Sequence, residues 1–458
     1  MTGFADFPWR HWGECQPQSV AVLAEQTRLT WRELCRHVGE LAAGFQAQGI
    51  RPGDGVAIRG RNSLQALLAW LALIQCGARV LPLNPQLPDD LLAALLPGMT
   101  LSAALALDTA PVPGLPALAL QSMAEKGAAL WDPNRFVSMT LTSGSTGLPK
   151  AAVHTAQAQL ASARGVLAAM PYTAADCWLL SLPLFHVSGQ GILWRWLLAG
   201  GRIAVRPGQA LSEGLAGCTH ASLVPTQLLR LLAHPESLPA LKAVLLGGAA
   251  IPVSLTESAS AAGIACWCGY GMTEMASTVC AKRADGLPDV GTVLPGREVR
   301  IVDDEIWLRG ECLAAGYWRD GVVHSLLNDE GWFATRDKGE LHHGRLSVPG
   351  RLDNLFFSGG EGIQPEEVER VISTLEPVLQ VFVVPVEDRE FGHRPVAVVE
   401  CVPGTDLTAL PGLVLNRLAR FQQPVRWLPL PDALKKGGIK ISRVALRQWV
   451  ARQLATAR

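Results

Sequence analysis

The chain has 458 residues, more than one hydrophobic core usually accommodates, so the sequence predicts two or more domains. Hydrophobic residues make up 49% of the chain and charged residues 17%, a balance typical of globular proteins that excludes a disordered chain. The 40 basic and 40 acidic residues cancel, so no nucleic-acid partner is expected. A polyanionic ligand would therefore have to be held by a local group of residues.

Neither a targeting segment nor a transmembrane segment is predicted. The start, "MTGFADFPWRHW", lacks the basic patch and apolar core of a signal peptide, which indicates a cytoplasmic protein. The longest apolar run, residues 64–77, is interrupted by Gln65 and Gln75 and is shorter than the ~20 residues that cross a bilayer, so it predicts a buried helix. The ten cysteines are scattered, as expected of structural thiols rather than a zinc site or a disulfide framework.

In the first part of the chain, runs of helical periodicity alternate with short apolar runs. A helix is predicted in residues 29–50, a strand in 53–60, a helix in 63–77 and a strand in 78–85. Further short apolar runs, each followed by a helical stretch, occupy residues 178–184, 202–207, 220–226 and 241–248. This alternation predicts an α/β fold with parallel-rich sheets covered by helices.

The pattern changes twice towards the C-terminus. From about Val299, short strands and glycine turns predict a small antiparallel region within the large N-terminal domain. The last ~100 residues mix helices and strands and have a common domain size, so they predict a smaller α+β cap domain. We place the boundary near Asp353, which gives domains at residues 1–352 and 353–458.

The segment "TLTSGSTGLPKAAVHT", residues 140–155, raises the question of a ligand. An alternating run, residues 135–141, precedes it and a helical run is predicted after it, so the arrangement is strand, glycine loop, helix. Backbone N–H groups, hydroxyls and one lysine in such a loop can hold phosphate, although a flexible connector is the alternative. The glycine spacing does not fit a Walker P-loop. The candidate phosphate-binding residues are Thr142, Ser143, Gly144, Ser145, Thr146, Gly147 and Lys150.

The run "TSGSTGLPK" resembles the signature of the adenylate-forming enzymes, which include acyl-CoA synthetases, aryl-CoA ligases, luciferases and peptide-synthetase adenylation domains. Six more runs match the family's motifs in the family's order, so the resemblance spans nearly the whole chain. These runs are "LPLFHVSGQG" (182–191), "LLGGAAIP" (245–252), "GYGMTE" (269–274), "WFATRD" (332–337), "GRLDNLFFSGGEGIQPEEVE" (350–369) and "GGIKISR" (437–443).

The resemblance implies an enzyme that uses ATP, Mg²⁺ and CoA. In this family a carboxylate attacks the α-phosphate of ATP, which yields an acyl adenylate and pyrophosphate, and a thiol then displaces AMP. Negative charge accumulates on the phosphates during the first step, and fixed donors together with Mg²⁺ stabilise it. The expected partners are therefore small molecules, while the sequence leaves the oligomeric state, including a homo-oligomer, open.

Matching positions in the family imply roles for individual residues. Residues 142–150 would hold the β- and γ-phosphates, Thr273 would donate to the α-phosphate, and Glu274 would bind Mg²⁺, an ion that prefers carboxylate oxygen. A solvated glutamate is the alternative for Glu274. The adenine would lie against Gly247, Gly248, Ala249 and Tyr270. Asp337 would accept both ribose hydroxyls, and Arg351 would reach the ribose or a phosphate.

One departure from the family concerns the ribose loop. The family often has Thr-Gly-Asp where this chain has Thr335, Arg336 and Asp337. We expect the side chain of Arg336 to point outward, while the backbone of the loop is left open.

The C-terminal domain would contribute a catalytic lysine. Lys440 matches the lysine that bridges the substrate carboxylate and the α-phosphate, although the usual Gly-Lys is Ile439-Lys440 here, and Lys435 and Lys436 are alternatives. The family rotates this domain between half-reactions, which implies a hinge at Asp353. Rotation would bring the turn of Gly359 and Gly360 to the pantetheine tunnel.

An arginine within an apolar helix bears on the identity of the acid. Arg195 lies between Trp194 and Trp196, and burying its charge without an anion is costly. The anion is either a structural aspartate or glutamate, or a second carboxylate on the substrate that pairs with the planar guanidinium.

The runs at residues 181–196, 222–228 and 356–372 most resemble the o-succinylbenzoate-CoA ligases of menaquinone synthesis, whose substrate is an aromatic dicarboxylate. His186, Ser188, Gly189 and Thr142 would line the aromatic end, and His186 is also a candidate catalytic residue. By itself, His186 fits a packed core histidine equally well. An aryl- or medium-chain acid ligase, an enzyme that loads a carrier protein, and a non-catalytic nucleotide-binding relative remain alternatives.

Overall fold

The computed structural model describes residues 3–456 apart from 26, 126, 143–147, 235–237, 239 and 436–440. Most of the described chain lies in three sheets and the helices packed on them. The helices are α1 Pro8–Cys15, α2 Trp31–Ala47, α3 Leu64–Gln75, α4 Asp89–Leu95, α5 Ala156–Ala169, α6 Val187–Ala199, α7 Leu211–Gly214, α8 Pro225–Leu231, α9 Val253–Ala261, α10 Pro365–Ile372, α11 Leu410–Val414, α12 Asp432–Lys435 and α13 Arg443–Thr456.

The first sheet has 13 strands and mixes parallel and antiparallel pairing. Six neighbouring strands are parallel, and they follow the predicted alternation of strand and helix. In spatial order the strands are β15 Arg297–Val302, β16 Glu305–Gly310, β19 Phe333–His342, β20 Arg345–Arg351, β14 Thr292–Val293, β13 Ser277–Arg283, β12 Ala265–Met272, β11 Ala243–Leu246, β10 His220–Leu223, β8 Cys177–Leu179, β9 Arg202–Val205, β1 Val20–Ala24 and β2 Arg28–Thr30.

The second sheet has seven strands, of which four neighbours are parallel. Its order is β18 Val322–His324, β17 Gly316–Arg319, β7 Lys150–Thr155, β6 Phe136–Thr142, β4 Arg79–Leu83, β3 Gly55–Arg59 and β5 Ala103–Ala106. The third sheet contains β22 Glu361–Ile363, β21 Phe356–Ser358, β24 Gly392–Cys401 and β23 Val378–Asp388, and β25 Arg426–Pro429 pairs with β24. The α/β fold with an additional α+β part is therefore confirmed.

The antiparallel region begins earlier than its predicted start at Val299. Strand β13 is already antiparallel to β12, and the later antiparallel strands continue the two large sheets, with β17 and β18 in the second sheet and the others in the first. The third sheet lies wholly within residues 356–429, and the chain enters it through a short 3₁₀ turn, Leu352–Asn354. The domain boundary and hinge at Asp353, which falls in this turn, remain predictions.

Helices packed between the two large sheets form the main core. Helix α5 contacts β7 of the second sheet and β13 of the first, and it packs against α6. Helix α3, predicted from an apolar run that two glutamines interrupt, is buried along most of its length, and the side chain of Ser63 accepts a hydrogen bond from the backbone N–H of Ala66 at its start. Six tryptophans are fully buried in this core: Trp9, Trp31, Trp70, Trp178, Trp194 and Trp196.

The predicted succession of strand, glycine loop and helix is wrong in one respect. Residues Lys150–Thr155 form strand β7, antiparallel to β6, and helix α5 begins only at Ala156, where Thr155 provides the N-cap. The glycine loop therefore joins two strands of a hairpin instead of leading into a helix. The run Ala151–Val153 is short, apolar and buried, and such a run fits either period, so pairing with β6 decides its conformation.

No helix within the described residues is long and apolar enough to span a membrane. The same residues contain no cluster of three or more histidine, cysteine or acidic side chains arranged to hold a metal ion. All ten cysteines are free thiols, and the closely spaced Cys266 and Cys268 are both buried. The prediction of structural thiols agrees with these positions.

Candidate active site

The candidate residues of the nucleotide site come from the ends of neighbouring strands of the first sheet. Strands β11 and β12 are parallel, so the segments that follow them leave the sheet at the same edge. Gly247, Gly248 and Ala249 follow β11, and Thr273 and Glu274 follow β12 in a 3₁₀ turn. Pairing of β19 with β20 sets Asp337 directly opposite Arg351.

Asp337 and Arg351 form one hydrogen-bonded group with Tyr270, the residue predicted to stack on adenine. The hydroxyl of Tyr270 donates to Oδ2 of Asp337 at 2.6 Å, and Nη1 of Arg351 donates to Oδ1 of Asp337 at 3.0 Å. Burial and the charge of Asp337 raise the pKa of Tyr270 well above its ordinary value. Burial alone would lower the pKa of Arg351, but the carboxylates of Asp337 and Asp353 raise it. These two hydrogen bonds orient the carboxylate of Asp337 at the edge of the sheet.

Arg336 has a left-handed backbone conformation of the kind that glycine usually adopts. Its φ of 64° lies in the left-handed region, which disfavours residues with a Cβ. The backbone N–H donates to Oε1 of Glu305 at 2.6 Å, and the exposed side chain reaches to within 3.7 Å of the Asp353 carboxylate. The side chain points outward as expected, and the left-handed turn keeps Asp337 in register although the family's glycine is absent.

The segment predicted to lie against adenine, residues 247–249, follows the end of strand β11. Gly248 has a φ of 81°, and it is exposed together with Ala249. A Cβ on Gly247 would come no closer than 3.3 Å, from the carbonyl oxygen of Gly269. Glycine at 248 is therefore explained by its backbone conformation, whereas a Cβ at 247 would make a tight contact with a backbone carbonyl, which would have to shift slightly. The predicted approach of adenine remains a separate reason for glycine there.

Glu274 is a buried carboxylate, with 7% of its surface exposed. Its Oε1 atom accepts a hydrogen bond of 2.7 Å from the hydroxyl of Tyr317, and burial raises the pKa of that tyrosine. Across the described ranges, no lysine, arginine or histidine forms an ion pair with Glu274. A buried carboxylate in this state lacks a countercharge, and carboxylate oxygen is a preferred ligand of Mg²⁺, so the residue fits the predicted metal role.

Most of the phosphate loop, Ser143 to Gly147, lies outside the described residues. Its two ends are described, and the register of the hairpin pairs Thr142 with Lys150. Nζ of Lys150 lies 4.9 Å from the centre of the Tyr317 ring, on the same side chain that contacts Glu274. Lys150 at the end of the loop and the candidate metal ligand Glu274 thus both contact Tyr317.

Helix α6 carries the predicted acid-binding residues. His186 provides its N-cap position, and the ring of His186 lies 4.9 Å from that of Phe185. Ser188 is half-buried in the first turn. A Cβ on Gly189 would come within 2.1 Å of the carbonyl oxygen of Pro183, so the preceding turn of the chain requires glycine at this position. The structure explains Gly189 by local packing, and its role in lining the aromatic end stays a prediction.

Arg195 is a buried cation, with 1% exposure, surrounded by hydroxyl groups. Nη1 donates to Oγ of Ser222 at 3.4 Å, and Nη2 donates to Oγ of Ser277 at 3.2 Å and Oγ1 of Thr278 at 3.5 Å. No aspartate or glutamate in the described part of the chain forms an ion pair with Arg195. Burial, followed by the positive charge of Arg297, lowers the pKa of Arg195 to about 9. The structural acid considered from the sequence is not found there, so the site is short of one anion.

The residues at the acid-binding end and at the phosphate-binding end of the site lie close together along the chain. The turn that holds Glu274 leads directly into β13, whose first residues, Ser277 and Thr278, contact Arg195. Ala276 and Ser277 both have positive φ, 49° and 110°, a strained backbone of the kind found at functional sites. This bend brings the hydroxyl of Ser277 back towards helix α6.

Of the three candidate catalytic lysines, Lys435 is the one that lies within the described residues. Lys440 and Lys436 lie outside the described residues. Lys435 is described, and its Nζ lies 3.2 Å from Glu400 and 2.9 Å from Asp432. These ion pairs hold Lys435 beside the third sheet and disfavour it as the catalytic lysine, while the choice of Lys440 stays a prediction.

Gly359 and Gly360 form the turn between β21 and β22, with φ values of 59° and 90°. Both are exposed, and a Cβ on Gly359 would lie 3.0 Å from the ring of Phe391. The tight turn requires glycine for its backbone conformation, and the predicted contact with pantetheine would make use of the same exposed backbone.

Four residues of the site were not identified from the sequence: Tyr317, Ser222, Ser277 and Thr278. Ser222 lies in a run that was used only for its resemblance, and Ser277 and Thr278 follow the "GYGMTE" motif directly. Tyr317 is one of only three tyrosines, but its contact with Glu274 spans 43 residues and has no local signal.

The fold and this site define an adenylate-forming enzyme. A family model described as AMP-binding enzyme matches residues 9–318, and the chain belongs to this family, as the resemblance of its motifs predicted. More particularly, it is 65% identical over 448 residues to the 2-succinylbenzoate–CoA ligase of Salmonella typhimurium, which covers 98% of each chain. It is 63% identical to the 2-succinylbenzoate–CoA ligase of Escherichia coli, over 98% of this chain and 99% of the other.

Solved structures give the same result. The structure of R195K E. coli MenE with bound OSB-AMS superposes with a TM-score of 0.95 at 62% identity, covering 99% of this chain and 100% of the other. The o-succinylbenzoate coenzyme A synthetase of Bacillus subtilis in complex with ATP and magnesium ion superposes with a TM-score of 0.80 at 26% identity, over 93% and 96% of the two chains.

Proposed function

We propose that this chain is an AMP-forming acid–thiol ligase that joins 2-succinylbenzoate (o-succinylbenzoate) to CoA at the expense of ATP. The full-length identity to two ligases of this name supports the activity and its place in menaquinone biosynthesis. The observation that carries the choice of acid is Arg195, a buried guanidinium without a carboxylate partner among the described residues. A dicarboxylic substrate supplies that partner, and a plain fatty acid does not.

In the first half-reaction, one carboxylate of the acid attacks the α-phosphorus of ATP. A bond forms between the carboxylate oxygen and phosphorus, the bond to pyrophosphate breaks, and the products are the acyl adenylate and pyrophosphate. The second carboxylate stays with Arg195 and orients the acid for attack, since positioning of this kind lowers the entropic part of the barrier. Asp337 and Arg351 hold the ribose, and Thr273 and Lys440 hold the α-phosphate.

Charge on the phosphates is the main obstacle to this step. Glu274 would bind Mg²⁺, which would offset the negative charge of the triphosphate. Lys150 and the loop before it bind the β- and γ-phosphates from the other side. In the second half-reaction the thiolate of CoA attacks the acyl carbonyl carbon, the bond to AMP breaks, and the thioester and AMP are released.

Pyrophosphate release tests the proposal directly. With 2-succinylbenzoate, ATP and Mg²⁺, the protein should release a single turnover of pyrophosphate without CoA and many turnovers with CoA. Benzoate, medium-chain acids and a carrier protein are the comparison substrates. Faster turnover with any of these would assign a different acid or acceptor, and no release with any acid would indicate a non-catalytic nucleotide-binding relative.

We also propose that the enzyme works in the cytoplasm, where ATP and CoA are available, and without a nucleic-acid partner, because its charges balance. Its two domains would be residues 1–352 and 353–458, with Asp353 as the hinge. The carboxylate of Asp353 accepts a hydrogen bond of 3.1 Å from Nη2 of Arg351, so the proposed hinge residue contacts the group around Asp337 directly.

Replacement of the hinge residue should separate the half-reactions. Asp353→Pro fixes φ near −65°, so rotation about this residue is restricted. We expect pyrophosphate release in a single turnover to remain close to that of the unmodified protein, whereas thioester formation becomes much slower. Asp353→Ala, which removes the same carboxylate but leaves the backbone free, is the control and should slow thioester formation less. Equal rates of thioester formation in both variants would contradict the hinge.

A further inference from the structure

Tyr317 contacts both charged side chains at the phosphate end of the site. Its hydroxyl donates to Oε1 of Glu274 at 2.7 Å, and its ring lies 4.9 Å from Nζ of Lys150. Apart from this tyrosine, no described side chain donates a hydrogen bond to the Glu274 carboxylate. One side chain therefore links the candidate metal ligand with the lysine at the end of the phosphate loop.

We propose that Tyr317 is a positioning residue for adenylation, which fixes the carboxylate of Glu274 for Mg²⁺ through its hydroxyl and locates Lys150 through its ring. The inference rests on the proposed function, because it requires Glu274 to bind the Mg²⁺ that accompanies ATP. The role of Tyr317 is indirect: it contacts the residues that hold the triphosphate and the metal ion.

Strand pairing makes Tyr317 a rigid support. Strand β17 is antiparallel to β7, which places Tyr317 opposite Ala152, two residues after Lys150. On its other side β17 pairs with β18, and a Cβ on Gly316 would come within 2.3 Å of the carbonyl oxygen of His324, so the two strands approach closely. The backbone of Tyr317 is thereby held between neighbours, while Glu274 lies in a short turn beyond the end of β12.

The hydrogen bond from Tyr317 leaves other acceptor positions of the Glu274 carboxylate for the metal ion. The hydroxyl of Tyr317 occupies one lone pair of Oε1, and a carboxylate has about four acceptor positions, so the remaining positions of Glu274 can face a cation. A hydrogen bond from an outer residue selects one orientation of such a ligand, and loss of an outer partner typically weakens metal binding by about 10- to 100-fold. The aromatic ring attracts the ammonium of Lys150 through its face, which limits the positions that this long side chain explores.

Tyr317→Phe removes the hydroxyl and keeps the ring. We expect the Mg²⁺ concentration for half-maximal pyrophosphate release to rise by about tenfold, with the maximal rate largely recovered at high Mg²⁺. Calorimetric titration of ATP provides a readout that does not depend on turnover. ATP should bind Tyr317→Phe as it binds the unmodified protein in EDTA, whereas the gain in affinity caused by Mg²⁺ should be smaller in the variant.

Two further variants separate the hydroxyl from other effects. Tyr172→Phe removes another buried tyrosine hydroxyl, which donates to the carbonyl of Arg202 at 2.7 Å outside the site, and it should leave the Mg²⁺ dependence unchanged. Tyr317→Leu also removes the ring below Lys150 and should weaken ATP binding in EDTA as well. In a Glu274→Gln background, Tyr317→Phe should cause no further loss of Mg²⁺ binding, since coupled residues are not additive.

The outcomes distinguish this inference from the proposed function. An unchanged Mg²⁺ midpoint and an unchanged effect of Mg²⁺ on ATP affinity in Tyr317→Phe would overturn the role of Tyr317, while pyrophosphate release by the unmodified protein would still support the ligase. A lower melting temperature with an unchanged Mg²⁺ midpoint would show that Tyr317 is merely structural. Absence of pyrophosphate release in the unmodified protein would instead overturn the proposed function.

Discussion

Arg195→Ala is expected to raise the KM for 2-succinylbenzoate by about 100-fold or more, because removing one partner of a buried ion pair typically costs about 3–5 kcal/mol. The guanidinium is buried among Ser222, Ser277 and Thr278, and hydroxyls alone do not neutralise the second carboxylate of the acid. The KM for ATP should stay close to that of the unmodified protein, since the contacts of Arg195 lie at the acid end. Steady-state pyrophosphate release with each substrate varied in turn measures both constants.

A matched pair of substitutions separates charge from packing. Arg195→Met is neutral but fills much of the same volume, so it should lose affinity for the acid as Arg195→Ala does. Arg195→Lys keeps the charge but lacks the planar guanidinium. Its affinity for the acid should lie between that of the unmodified protein and that of the neutral variants. An analogue of the acid that lacks one carboxylate should lose its disadvantage in the neutral variants. An unchanged KM for the dicarboxylate in Arg195→Met would contradict the assignment.

The lowered pKa of Arg195 also predicts how the substrate changes the melting temperature of the protein. Burial lowers this pKa to about 9, so Arg195 stays protonated at neutral pH, but keeping its charge inside the fold costs free energy. Substrate binding relieves this cost by supplying an anion. 2-Succinylbenzoate should therefore raise the melting temperature of the unmodified protein and have little effect on Arg195→Met.

Glu274→Gln is expected to lower the rate of adenylation by about 10²- to 10³-fold, a magnitude typical of losing one electrostatic contribution to charge stabilisation. The amide keeps an oxygen that can accept the hydrogen bond from Tyr317, so the fold of the turn should persist while the negative charge is lost. Rapid-quench measurement of single-turnover pyrophosphate release, at several Mg²⁺ concentrations, tests this.

Glu257→Gln is a suitable control, because Glu257 is an exposed residue of helix α9. It should leave both the rate and its dependence on Mg²⁺ unaltered. If Glu274→Gln retained the Mg²⁺ dependence of the unmodified protein, the metal ion would have to be held elsewhere, and Glu274 would then be a buried structural residue.

Residues within single short segments could be interpreted from the sequence. The family motifs at residues 142–150 and 269–274 are contiguous, so their resemblance to other adenylate-forming enzymes is visible without any structure. Helix α3 was predicted because a largely apolar run of its length fits a buried helix. Strand β7 was missed because its few apolar residues fit either period, and its partner β6 decides between them.

The sequence by itself determined the family, the reaction and the candidate residues, because each depends on local runs whose order along the chain is sufficient. Only the tertiary structure decided what surrounds those residues. Arg195 meets Ser222, Ser277 and Thr278 at separations of 27, 82 and 83 residues, and Glu274 meets Tyr317 at 43. Such contacts depend on strand order, helix packing and the bend at Ala276 and Ser277, and no local pattern of side chains encodes them.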